Sequence, residues 1–234
     1  MSELIQTVNL VKAYDKKGCA ALNNVSISIP HGRIVGLLGT NGSGKTTLIK
    51  LINGLLQPTS GEVLINGEKP GVKSKAVISY LSERPSLPSG KSVGEIIEFY
   101  DDFYEDFDRN KALEMIKSLN ISESSRIKTL SKGTKEKVQL VMVMSRNAQL
   151  YILDEPIAGV DPAARDYIIR TIIGNYNPDS SVLLSTHLIA DVENVLDDVI
   201  FIKNGEIILT SSVEDLRVKE GKSLDSYFRE VFAC

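Results

Sequence analysis

The run Gly39-Thr40-Asn41-Gly42-Ser43-Gly44-Lys45-Thr46 fits the spacing G-x-x-x-x-G-K-[ST], a loop that wraps backbone N–H groups around a polyphosphate. Its glycines let the main chain turn tightly and approach phosphate oxygens without side-chain interference. Lys45 brings a charge to the β- and γ-phosphate oxygens, Thr46 places a hydroxyl for Mg²⁺, and Thr47 continues the cradle into the next element. The flanks agree. Ile34-Val35-Gly36-Leu37-Leu38 reads as a buried strand entering the loop, and residues 45–53 read as a helix leaving it, closed by Gly54. A glycine turn that only links strand to helix is the plainer alternative, and it leaves the lysine and threonine unexplained.

Upstream of the loop, Val25, Ile27 and Ile29 share one face of a strand while Asn24, Ser26 and Ser28 point the other way, until Pro30-His31-Gly32 breaks the run. Downstream, Glu62-Val63-Leu64-Ile65 runs into Asn66-Gly67, a two-residue hairpin signal, and residues 77–81 offer another short strand. Residues 85–147 then read as helical. Ser92-x-x-Glu95 is a capping box, Asp108 caps a helix carrying Leu113, Ile116 and Leu119, and Ser131 caps one carrying Leu140, Val141, Val143 and Met144. Strand patterns return at 150–153, 182–185 and 199–202, with a helix from Pro162 to about Tyr176 between the first two. Asn204-Gly205 marks a final hairpin, and a short helix is expected over 225–232. Such alternation predicts an α/β fold with a parallel sheet buried on both faces. One compound domain is expected over 1–234. Its α/β core with a β subdomain takes 1–84 and 148–220, a helical subdomain 85–147 and a C-terminal helix 221–234.

At 234 residues the chain can bury one substantial core with a smaller lobe. Apolar residues make up 42% and charged residues 24%, as in globular proteins. A net charge of −3 offers nucleic acid and anionic lipid no global attraction, so no nucleic-acid partner is expected. Cys19 and Cys234 stand far apart with no C-x-x-C pair, which argues against a disulfide framework or zinc site and fits a reducing compartment. Met1-Ser2-Glu3-Leu4-Ile5 lacks the basic-then-apolar order of a signal peptide, and no window approaches ~18 continuous apolar residues. The chain is expected to be neither secreted nor membrane-spanning; at a membrane, another chain would do the spanning.

A phosphate loop needs a carboxylate holding Mg²⁺ from the other side, at the end of a buried strand. Asp154 follows Leu150-Tyr151-Ile152-Leu153 directly and is the expected water-mediated magnesium ligand. Glu155 beside it is placed to orient or deprotonate a water attacking the γ-phosphate. A polar strand end before the turn at Pro156 is the plainer account of the pair. His187 ends another strand after Ser185-Thr186. Ligands of open α/β sheets gather at the carboxyl ends of parallel strands, so a hydrogen bond from His187 to the γ-phosphate or to the water-activating acid is expected. His31 reads as an ordinary turn residue.

At Leu130-Ser131-Lys132-Gly133-Thr134 a capping serine and a glycine open a helix with its free N–H groups and positive dipole end outward. By itself this is an ordinary capped start or a second phosphate site. If it belongs to a separate lobe, it and the phosphate loop meet on one nucleotide only between two copies arranged head to tail. In their order along the chain these elements resemble the nucleotide-binding subunit of ATP-binding cassette (ABC) transporters, over nearly the whole length. In that resemblance Tyr14, in Val11-Lys12-Ala13-Tyr14, corresponds to the aromatic that stacks on adenine, and Gly39 to Thr46 corresponds to Walker A. Glu83, in Tyr80-Leu81-Ser82-Glu83, falls at the Q-loop position that contacts Mg²⁺ and senses the transport partner. Ser131 to Thr134 is similar to the signature motif, Asp154 and Glu155 to Walker B and the catalytic acid, Ala158-Gly159-Val160-Asp161 to the D-loop, and His187 to the switch histidine.

The resemblance implies a P-loop NTPase with a RecA-like parallel core, an antiparallel β subdomain and an inserted helical subdomain. It implies catalysis by Glu155, His187 and Lys45. Nucleotide binding falls to Tyr14, Gly39, Thr40, Asn41, Gly42, Ser43, Gly44, Lys45, Thr46, Thr47, Ser131, Gly133 and Asp161, and Mg²⁺ binding to Thr46, Glu83 and Asp154. ATP and Mg²⁺ are the implied cofactors. The implied partners are a transmembrane permease and a second nucleotide-binding subunit, the same chain or another, on the cytoplasmic face of the membrane. Three positions depart from the family pattern. Lys132 replaces the first signature glycine and either approaches a phosphate or points to solvent; Thr134 replaces the signature glutamine; Glu83 replaces the Q-loop glutamine, adding a charge beside the metal. Lys132-Gly133, Glu83 and the lack of an added C-terminal regulatory domain resemble bacterial exporters of the ABC-2 type. A non-transport ABC ATPase is the alternative, and a small-molecule P-loop kinase would leave Ser131-Lys132-Gly133 and Asp161 unexplained. Phe99, Tyr100, Phe103, Tyr104 and Phe107, interleaved with acids, are expected on one helical side, as a socket for the permease, as the core of the lobe, or both.

Overall fold

The computed structural model describes residues 3–14, 20–84, 86–177 and 179–233, without the side chains of 162–164. Cys19 and Cys234, and with them the expectation about their pairing, lie outside the described residues. Alternating burial builds a first, antiparallel sheet from β1 (Glu3–Lys12), β2 (Leu22–Pro30) and β4 (Ser60–Ile65), in the order β2-β1-β4. In β2 Val25, Ile27 and Ile29 are buried, the period-two face the sequence predicts, while Leu22 is buried out of that phase, ahead of Asn24 at φ 53°.

The second sheet contains β3 (Ile34–Leu38), β5 (Ile78–Leu81), β6 (Leu150–Asp154), β7 (Ser181–Thr186), β8 (Asp198–Lys203) and β9 (Glu206–Ser212). Their order is β5-β6-β7-β3-β8-β9, parallel throughout except where β9 turns back on β8 through Asn204-Gly205. The inner strands are apolar without alternation because both faces are covered. Ile34 and Leu38 of β3, with Tyr151 and Leu153 of β6, enter one core; Val35 and Leu37, with Leu150 and Ile152, enter the other. The second core also holds the antiparallel sheet and α1 (Lys45–Ile52), and the first is filled largely by helices.

Those helices include α3 (Val93–Phe103), α4 (Arg109–Ser118) and α5 (Lys132–Met144), capped by Ser92, Asp108 and Ser131 as the sequence predicts. A 3-10 turn over Ile127–Thr129 precedes α5. Beyond them lie α6 (Pro162–Asn175), α7 (Ile189–Val192), α8 (Val213–Glu220) and α9 (Leu224–Phe232). One arginine fastens the α3–α5 region to the large sheet. Arg146 is 3% exposed; its Nε and Nη2 reach Asp106 at 2.9 and 3.1 Å, its Nη1 donates to the Ile78 carbonyl at 2.5 Å and its Nη2 to that of Ala76 at 2.6 Å. Its guanidinium also stands 3.9 Å from the Tyr104 ring centroid.

Three sequence expectations change. Asn66-Gly67 turns the chain, but no strand returns along β4; across the turn the only bridge is Ile65 with Glu68, and β4 pairs instead with β1, about 50 to 60 residues away. The short helix α2 (Val72–Val77) precedes β5, shortening the strand expected over 77–81. The aromatic run divides: α3 ends at Phe103, Phe99 and Phe103 stack in solvent with centroids 5.8 Å apart, and Phe107 is buried beneath Tyr100.

Candidate functional site

The loop 39–46 joins the carboxyl end of β3 to α1. Gly39 is required by close approach, since a Cβ there would stand 2.4 Å from the Ile202 carbonyl and 2.6 Å from Ser43 Oγ. Gly44, with φ 112° and the Ala21 carbonyl 2.8 Å from where a Cβ would be, is required by both backbone and space. Gly44 also starts α1 without a side-chain cap and no acid occupies the first turn, so the helix's leading N–H groups and dipole are left for an anion. A cavity of about 310 Å³ opens over them, lined by Ala21, residues 41–47, Glu83 and Glu155.

Charged side chains converge beneath this cavity. Lys45 is only 5% exposed; its Nζ donates to the carbonyls of Gly39 at 2.8 Å and Thr40 at 3.3 Å. It also stands 3.2 Å from Glu155 Oε1, close enough for charge attraction without hydrogen-bond alignment. Glu155 Oε2 lies 3.0 Å from His187 Nδ1. Thr46 Oγ1 donates to Asp154 Oδ1 at 3.3 Å, and Ser185 Oγ donates to the same oxygen at 2.6 Å. Burial pushes the Asp154 carboxyl above its ordinary range, the hydrogen bonds from Ser185 and Thr46 oppose this, and the charges of Glu155 and Glu83 add to the rise. Glu155 itself has φ 51°, an uncommon conformation for a residue with a side chain.

Among the described residues, the buried side-chain atoms lacking a hydrogen-bond partner are Ser43 Oγ, Asp154 Oδ2 and Glu155 Oε1. A buried oxygen without a partner costs about 1–3 kcal/mol, which for Glu155 Oε1 the nearby Lys45 charge offsets, and gathering such atoms at one site is the mark of a place completed by a ligand. The donor set is all oxygen, suited to a hard cation such as Mg²⁺. No group of three or more His, Cys, Asp or Glu among the described residues is placed to hold a metal alone, so the ion would draw further ligands from phosphate and water.

The exposed Tyr14 stands beside this site, its hydroxyl 3.2 Å from Thr47 Oγ1 and its ring 5.6 Å from Lys12 Nζ. Ser131 and Gly133 are not in the lining of the P-loop cavity. Ser131 Oγ accepts from the Thr134 N–H at 3.1 Å, Gly133 has open space around it, and the exposed Lys132 lies 3.8 Å from Glu136. Asp161 begins the turn into α6, accepting from the Arg165 N–H at 3.0 Å, and Arg165 Nε donates to the Val160 carbonyl at 2.9 Å.

Two residues here escaped sequence reasoning. Gln139, buried in α5, accepts from the Ser86 N–H at 3.0 Å and donates to Ser82 Oγ at 3.3 Å, tying the helix that Ser131 caps to the loop of Glu83. Ser185 bonds Asp154; its signal was a hydroxyl inside the apolar strand that leads to His187.

Comparison with known proteins gives the family and the fold. Residues 22–158 match the family model described as ABC transporter. The chain is 30% identical over 235 residues to the SkfA peptide export ATP-binding protein SkfE of Bacillus subtilis, covering 98% of this chain and 95% of that one. The linearmycin resistance ATP-binding protein LnrL of the same organism is 29% identical over 221 residues, covering 91% and 70%. A solved structure described as the ATP binding subunit of an ABC transporter superposes with a TM-score of 0.87 at 28% identity, covering 97% and 98%. A dimeric ATP-binding cassette in a post-hydrolysis state with ADP and Pi has the same fold, with a TM-score of 0.78 at 23% identity over 89% and 98% of the two chains.

Proposed function

The chain belongs to the ABC transporter family of ATP-binding proteins, and on that premise we propose that it hydrolyses Mg-ATP to power a separate transmembrane permease, an exporter. The observation that carries the reading is the set of orphaned buried oxygens on Ser43, Asp154 and Glu155 around a lysine-floored loop. The residues divide the work as follows. Free N–H groups of the loop and α1 hold the phosphates, and Lys45 meets the γ-phosphate. Thr46 and Asp154 would hold magnesium, with Glu83 at the rim; when bound, the ion neutralises charge on the phosphate oxygens. Glu155 takes the proton of the attacking water, and His187, already against its carboxylate, orients it. Tyr14 offers its ring to the base.

Ser131, Gly133 and Asp161 act on the nucleotide of a second subunit arranged head to tail, which accounts for their absence from the lining of the P-loop cavity. We assign 1–84 and 148–220 to the nucleotide core, 85–147 to the lobe that meets the permease and 221–234 to a C-terminal helix. The exporter reading follows SkfE and LnrL, whose names concern peptide export and linearmycin resistance. No helix among the described residues is long and apolar enough to cross a membrane. The protein would thus sit on the cytoplasmic face through its permease, docked by the exposed Phe99–Phe103 pair and the acids around it.

Steady-state hydrolysis tests the chemistry. Glu155→Gln is expected to bind ATP with near wild-type affinity and to lose about 10²–10⁴-fold in kcat. Turnover at the wild-type rate would remove Glu155 from the assigned role.

A further inference from the structure

Strands β6 and β7 run parallel with Asp154 in register with Ser185. Neighbouring strands lie ~4.8 Å apart, so a hydroxyl at 185 is within reach of that carboxylate. Ser185 is fully buried and donates to Asp154 Oδ1 at 2.6 Å. Ser185 Oγ in turn accepts from the Glu155 N–H at 3.1 Å, a proton shared with the Ser185 carbonyl at 3.0 Å. One serine therefore touches both acids. Because Oδ1 of Asp154 is held by Ser185 and Thr46, Oδ2 is the oxygen left unpartnered in the site. The forked bond to the Glu155 N–H also falls on a residue at φ 51°, where the backbone needs outside support.

We propose that Ser185 is a positioning residue for both acids: its hydroxyl fixes the Asp154 carboxylate so that Oδ2 faces the magnesium position, and helps hold the turn that aims Glu155 at Lys45 and His187. A buried hydroxyl with only a packing role would serve metal-free and metal-bound nucleotide alike. A positioning role is specific to the metal, since partners that orient a ligand are worth about 10–100-fold in metal affinity or activity.

The inference rests on the Mg-ATP reading and is tested by titrating MgCl₂ into the whole chain with a fluorescent non-hydrolysable ATP analogue, alongside the same nucleotide in EDTA. Ser185→Ala is expected to raise the half-saturating Mg²⁺ concentration by about tenfold or more, with metal-free affinity within about twofold of wild type. Ser185→Cys keeps the volume but weakens the donor, shifts the midpoint the same way by less, and decides the matter if the alanine variant does not fold. An unchanged Mg²⁺ midpoint overturns the proposal, as does an equal loss of affinity with and without the metal. If the wild type shows no Mg²⁺-dependent nucleotide binding, the Mg-ATP reading falls and this inference with it.

Discussion

Asp154 is 1% exposed, and burial is the largest influence raising its carboxyl above the ordinary value of 3.8. The folded state therefore binds this proton more tightly than the unfolded chain. The stability it contributes is present at low pH and is lost as pH rises through the window above 3.8. When ionised, the group weighs against the nucleotide-free fold, and its charge serves the metal. Asp154→Asn is expected to melt higher without nucleotide, by about 2–4 °C per ~1 kcal/mol recovered, and to lose the extra stabilisation that Mg²⁺ adds to bound ATP. Thermal unfolding of both proteins with and without Mg-ATP checks this; a lower melting temperature for the nucleotide-free variant contradicts it. Gly39 is limited by space instead: in Gly39→Ala the new methyl would meet the Ile202 carbonyl, and a loss of about 1–3 kcal/mol is expected in denaturant unfolding.

At the scale of elements, Arg146 binds two segments that are remote from it in sequence: Asp106 before α4, and the carbonyls of Ala76 and Ile78 where α2 passes into β5. Arg146→Met removes the charge and leaves those acceptors partly buried. A loss of about 3 kcal/mol is expected, read as a lower denaturant midpoint, and a change under ~0.5 kcal/mol would show that the lobe is held by apolar packing alone. The same separation explains what the sequence conceals. The phosphate loop, the caps at Ser92, Asp108 and Ser131, and the β8–β9 turn were legible because each is written within a few consecutive residues. Arg146, Gln139 and Ser185 were not, since each acquires its meaning from partners 30 to 70 positions away. Helices α2 and α8 escaped because each buries too few apolar residues to show a helical period; in α8 these are Val213 and Leu216. Asn66-Gly67 misled because a turn signal specifies a reversal and not the strand that follows it.

At the scale of the molecule, the acidic aromatic face of α3 is the surface that should distinguish a transport subunit from a free ATPase. Glu95, Glu98, Asp101 and Asp102 accompany Phe99 and Phe103, and the helix itself carries no basic residue. If the permease docks there as proposed, cationic and apolar side chains would suit the face, whose Asp101 and Glu98 already lie 3.3 and 4.0 Å from Arg109, and the attraction would weaken as salt rises. Asp102→Lys combined with Phe103→Ser is expected to reduce co-purification of the permease several-fold; undiminished capture would move the docking surface elsewhere. Assigning Ser131 and Gly133 to a nucleotide held by another subunit requires ATP to join two subunits head to tail. The most direct measurement is the solution mass of Glu155→Gln by light scattering, with and without Mg-ATP. One chain of 25.7 kDa is expected without nucleotide and twice that mass with it, the dimer being lost on further replacing Ser131 by Arg. A mass that stays at one chain under saturating Mg-ATP would contradict a head-to-tail site between two copies of this chain.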